Sequence, residues 1–157
     1  MWQFGILFKC RWNGNINDYV KTNSDNWDST WCRVDFSFKF LKCINYSKSN
    51  DEVLLACEIE SLEKSLTDLL EHKINKKMLL SFIEPDFNFE LYPRHLITDE
   101  DPNVVYVKPG YEAIDVSAEW TVNLWSEGAL TANYFSVALD RDEITKLRDY
   151  LRTVLSE

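Results

Sequence analysis

Glycine and proline are scarce in this 157-residue chain, four of each, and histidine is scarcer still with two. With so few glycines there is no GxGxxG, no GxxxxGK[ST] and no GxSxG, which excludes a phosphate-cradling loop or nucleophile elbow of known type. The four cysteines, Cys10, Cys32, Cys43 and Cys57, form no CxxC pair and have no histidine at zinc spacing. They read as reduced, mostly buried small hydrophobes. The longest apolar runs are five or six residues, against the roughly 20 that a membrane-spanning helix needs. The N-terminus MWQFGILFKCRWNG has no early basic region, so a signal peptide is not expected and a cytoplasmic protein is.

Cations are absent where they would be expected. Residues 1–83 balance acidic and basic side chains at eleven each, whereas residues 84–127 set ten acids against Arg94 and Lys108 alone. Nearly all of the net charge of −9 therefore sits in one segment. Such a field repels nucleic acid and attracts a basic partner.

What is present is core material. Hydrophobic residues make up 45% of the chain and aromatics 14%, enough for one domain that buries roughly 70% of its unfolded surface. Trp2 to Phe8 reads as a strand, followed by loops rich in Asn and Asp. WCRVDFSFKFL (31–41) alternates, with Cys32, Val34, Phe36, Phe38 and Phe40 on one face. A further polar loop leads to a helix over 55–71, striped by Ile59, Leu62, Leu66, Leu69 and Leu70. Met78 to Ile83, Phe87 to Leu91, Val104 to Val107, Ile114 to Trp125 and Tyr134 to Leu139 read as strands. Turns fall at Lys108-Pro109-Gly110 and Glu127-Gly128. Asp140 then opens a helix over 141–155 as its N-cap, with Glu143 completing a capping-box pattern. The two helices share the spacing EIxxLxxxLxx(L/V), which leaves both an internal duplication and plain amphipathic patterning open. The fold class expected is α+β: a single domain with a largely antiparallel sheet and two amphipathic helices.

Catalytic candidates fare poorly. In FIEPDFNFEL (82–91), an extended strand puts Glu84, Asp86, Asn88 and Glu90 on one face and Phe87, Phe89 and Leu91 on the other. Asp86 and Glu90 are then about 13 Å apart, too far for a glycosidase pair, and Pro85 bends the nearer pair, Glu84 and Asp86. His72 sits at a helix end and His95 at the edge of an acidic loop, neither beside a nucleophile. Asp99-Glu100-Asp101 lacks the spacing and glycine of an EF-hand. No catalytic residue, metal site or cofactor is assigned.

The order WDSTW (27–31), a long alternating strand, the EIxxLxxxL helix, FIEPDFNFEL and NYFSVALDRDEITKLRDYL (133–151) resembles the WapI-like immunity proteins. The resemblance runs from about Trp27 to Leu155. It implies a non-enzymatic cytoplasmic protein that binds the C-terminal domain of a cognate bacterial polymorphic toxin, often a nuclease with a basic groove. No member of a catalytic set carries over. An acidic surface would imitate the phosphate track and speed encounter. Opposite the apolar face of 114–124 stand Tyr111, Asp115, Glu119 and Trp125. With Asp99, Glu100 and Asp101 they make the candidate toxin-binding set, acids flanked by aromatic anchors. Reversing Asp115 and Glu119 to lysine is expected to slow toxin association and leave the fold intact. Two other classes stay open: an acidic adaptor, and an enzyme whose site is assembled from distant residues.

Overall fold

A computed structural model describes residues 9–11, 31–40, 44–97, 108–110 and 112–156. The chain divides into two compact units, Met1–Ser61 with Leu151–Glu157, and Leu62–Tyr150. The architecture is α+β with antiparallel sheets, as the alternation and helical stripes predict.

The first unit holds a three-stranded sheet in the order β1 (Lys9–Arg11), β2 (Trp31–Phe40), β3 (Ile44–Leu55). β2 and β3 pair from Trp31↔Leu55 to Phe40↔Ile44, with irregularities between Cys32 and Arg33 and between Val34 and Phe36. β3 corrects the reading of this stretch as a polar loop. Its sequence, INYSKSNDEVLL, has low strand propensity, but pairing along the whole of β2 overrides that preference. From Tyr46 to Ser49 the side chains alternate between half-buried and exposed. Lys48 stays half-covered and bridges Asp51 at 2.9 Å. Cys32, Val34, Val53, Leu54 and Leu55 are buried, in keeping with Cys32 as a small hydrophobe, and Cys57 is half-buried.

Helix α1 (Ala56–Leu70) follows β3 with no connecting residue. Its predicted stripe is buried at Ile59, Leu62, Leu66 and Leu69. Glu58 reaches back so that its carboxylate accepts the Leu55 amide at 2.8 Å, half of a capping box. The helix ends in a Schellman motif: His72 N–H donates to Leu69 C=O and Lys73 N–H to Asp68 C=O. The left-handed position usually given to glycine is held by His72, at φ 59°.

The second unit contains a four-stranded sheet in the order β4 (Met78–Ser81), β5 (Phe87–Tyr92), β8 (Ser117–Ser126), β9 (Ala129–Leu139). A separate ribbon pairs β6 (His95–Leu96) with β7 (Ala113–Ile114). Glu127 and Gly128, both at positive φ, make the two-residue turn between β8 and β9. Asp140 then caps helix α2 (Arg141–Ser156). Its carboxylate accepts the Glu143 amide at 2.9 Å and Glu143 accepts the Asp140 amide at 3.0 Å, the full box that the sequence predicts. Of the apolar stripe expected along α2, Ile144, Leu147, Leu151, Val154 and Leu155, the first and third are buried and the others half-buried.

Two expectations fail in this unit. Alternation places Ile114 on the apolar face of one long strand, yet it is 47% exposed and belongs to the ribbon. The strand breaks at Asp115, whose carboxylate accepts the next amide, Val116 N–H, at 2.8 Å, a local bond that competes with a sheet ladder. Asp86, placed with Glu84 and Glu90 on a wet face, is 2% exposed. Pro85 and Asp86 form a turn, and Asn123 holds both: its side-chain amide donates to Pro85 C=O and its backbone amide to Asp86 C=O. The strands expected at Trp2 to Phe8 and Val104 to Val107 lie outside the described residues.

Candidate functional site

Register fixes what each face of the four-stranded sheet can do. Leu80, Phe89, Trp120 and Val137 stand opposite one another in successive strands. Phe89, Trp120 and Val137 of that row are buried. The Phe89 and Trp120 rings stack with centroids 5.6 Å apart, and Phe87 meets Trp120 edge-on at 5.4 Å. Phe87 and Phe89 of FIEPDFNFEL are therefore core, and Phe82, half-buried, meets Phe89 edge-on at 6.3 Å.

On the other face, Leu79, Glu90, Glu119 and Ala138 form one row, and Ser81, Asn88, Thr121 and Ser136 the next. Glu90 and Glu119 thus stand directly opposite across β5 and β8, a like-charge placement that is ordinarily unfavourable. Lys77 offsets it by bridging Glu90 at 2.7 Å, and the Tyr92 hydroxyl also donates to Glu90. The Lys77 ammonium lies 5.1 Å from the centre of the Tyr92 ring. Lys77 first, then the Tyr92 hydroxyl, hold the Glu90 carboxyl below its ordinary range, and Glu90 in turn raises Lys77. Among the described residues no cation bridges Glu119.

A second cluster gathers around Arg141. Its Nε and Nη2 donate to the two carboxylate oxygens of Asp115, each at 2.7 Å. Nη1 lies 3.5 Å from Leu70 C=O and Nη2 3.3 Å from His72 Nε2. A cation at the first residue of a helix opposes the helix dipole. Here the guanidinium turns instead to Asp115 and to the carbonyl end of α1. It holds the Asp115 carboxyl far below the usual carboxylate range, outweighing partial desolvation.

Of the seven candidate residues, Asp99, Glu100, Asp101 and Tyr111 lie outside the described residues. Asp115 precedes β8 and is engaged by Arg141. Glu119 sits in the middle of the open face. Trp125 lies beyond a register shift, where pairing resumes at Trp125↔Leu130, and is half-buried. The acids of segment 84–127 therefore have different circumstances: Asp86 is buried, Glu90 and Asp115 are paired with cations, and Glu119 is left on the sheet. Sequence reading missed Lys77 and Arg141 as partners, since both lie outside that segment. It could have found the Glu90–Glu119 row from the two alternations once the strands were paired. Among the described residues no group of three or more His, Cys, Asp or Glu could hold a metal ion, and no helix is long and apolar enough to cross a membrane.

No curated protein matches the chain. A family model does, over residues 13–157, a span that starts ahead of Trp27; its description is "Immunity protein WapI-like family".

Proposed function

The chain belongs to the WapI-like immunity protein family, and from that premise we propose that it is a non-enzymatic cytoplasmic antidote that binds and neutralises a cognate toxin domain. The observation that carries this reading is the family match across residues 13–157. The partner is the C-terminal domain of a bacterial polymorphic toxin, a nuclease with a basic substrate groove. The net charge of −9, concentrated in residues 84–127, supports an electrostatic mode of capture. Carboxylates imitate the phosphate track, steer the encounter and cover the groove.

Within the candidate set, Glu119 is best suited to this role, because among the described residues it bridges no cation of its own chain. Asp115 contributes less, since Arg141 already neutralises it. Asp99, Glu100 and Asp101 supply further charge, and Tyr111 and Trp125 are the aromatic anchors.

The test is co-expression with the toxin domain encoded next to this gene. Restored growth together with co-purification of the two chains is the expected result. A toxin domain that still kills and does not co-purify sinks the proposal.

A further inference from the structure

The four-stranded sheet is covered on one face only. Phe87, Phe89 and Leu91 of β5 and Ala118, Trp120 and Val122 of β8 point to the covered face and are all buried. Their alternates on the other face reach solvent: Asn88, Glu90, Glu119 and Thr121 are half-buried, and Ser136 and Ala138 of β9 are exposed. Two large apolar side chains stand at opposite corners of this face, Leu79 on β4, 58% exposed, and Tyr134 on β9, 65% exposed. Strand spacing and rise separate these corners by about 14 Å across the strands and about 13 Å along them.

Charge on the bare face does not balance. Its charged groups are Glu90, Glu119 and the flanking Lys77, and Lys77 is committed to Glu90 at 2.7 Å. Among the described residues no cation bridges Glu119. The free chain thus carries the cost of two carboxylates directly opposed across β5 and β8. On its other side Glu119 is paired with Ala138, the smallest side chain of the row, which leaves the carboxylate open to approach.

We propose that the toxin domain docks flat on this face, setting one lysine or arginine against Glu119 and apolar side chains over Leu79 and Tyr134. The inference rests on the toxin reading and deepens it, by making the bare sheet face the centre of the contact and adding Leu79 and Tyr134 as anchors. Charge complementarity selects the occupant. Two carboxylates and one ammonium leave a surplus of one negative charge, which a single cation neutralises while relieving the cross-strand repulsion. Apolar side chains around that ion pair exclude water from it, which strengthens it. A second copy of the chain brings the same surplus, nucleic acid brings more negative charge, and a small ligand buries little of itself on a flat surface.

The experiment measures binding of the full chain to the toxin domain encoded next to its gene, by surface plasmon resonance, beside thermal melts of the free chain. Glu119→Gln should weaken the complex about tenfold through faster dissociation, equivalent to about 1.4 kcal/mol. The free variant should melt at an equal or higher temperature, because the like-charge opposition is gone. A residue with a structural role alone would lower the melting temperature instead. Leu79→Ser and Tyr134→Ser, at exposed positions, should each weaken the complex about fivefold or more with the circular dichroism spectrum unchanged. Wild-type binding that none of the three variants alters by more than about twofold overturns the face and leaves the toxin reading standing. No wild-type binding overturns both. A chain that dimerises alone in sedimentation equilibrium, with a dimer lost in the serine variants, assigns the face to a second copy and overturns the proposal.

Discussion

Asp115 and Arg141, 26 residues apart in sequence, meet through two hydrogen bonds of 2.7 Å, one to each carboxylate oxygen. Such a fork is the strongest geometry open to the pair. Asp115 is nevertheless about half exposed, which limits the gain through solvent screening. Asp115→Asn should lower stability by about 1 kcal/mol or less at neutral pH. The sign of the pH dependence follows from the depressed carboxyl pKa in the folded state. The contribution is fully present above the unfolded value of about 3.9 and is lost as pH falls below it toward the folded value. Urea denaturation of both proteins at neutral pH and at successively lower pH should show the difference shrinking; a constant gap would refute the linkage.

Trp120 is the hub of the sheet core, stacked on Phe89 and edge-on to Phe87. Trp120→Ala should cost about 3–5 kcal/mol, read as a shift in the urea midpoint. A loss below about 1 kcal/mol would mean that the aromatic cluster is not the core the register describes.

His72 holds a left-handed backbone conformation that glycine adopts freely. His72→Gly should therefore stabilise the chain by about 1 kcal/mol, less whatever the imidazole gains beside Arg141. Arg141→Ala removes the latter contact and the Asp115 fork without touching the strain. Thermal melts of both variants separate the two effects. A destabilised His72→Gly would show that the contact with Arg141 outweighs the backbone strain.

Glu119→Lys exchanges a like-charge opposition with Glu90 for an opposite-charge one. Stability should be unchanged or slightly higher, while association with the toxin domain slows and loses salt dependence. An unchanged association rate would remove Glu119 from the binding surface. Asp115→Lys is a poorer probe than sequence alone suggests, because it sets a cation against Arg141.

Where a periodic pattern was carried by the chain itself, the elements were legible. The stripes of α1 and α2, the Asp140–Glu143 box and the Glu127-Gly128 turn all follow from spacing within a few residues. β3 was not legible, because its polar residues become a strand only through pairing with β2. Asp86 was misplaced for a similar reason. Alternation puts it on the wet face, but a turn held by Asn123, 38 residues away in sequence at its contact with Pro85, carries it inward. The sequence shows where the acids of the candidate surface concentrate, and leaves open whether they form one patch. Lys77 and Arg141, which subtract from their charge, come from sequence outside the acidic segment, and no local pattern announces such partners.

The joints between strand and helix have a further consequence. β3 passes into α1 with no intervening residue, and β9 into α2 through Asp140 alone. With no slack, the last strand residue sets the rotational phase of the helix that follows. One inserted residue turns every later side chain by about 100° around the helix axis, which would swing Ile59 or Ile144 out of the buried stripe. Length changes should therefore be tolerated between α1 and β4 and not at these two joints.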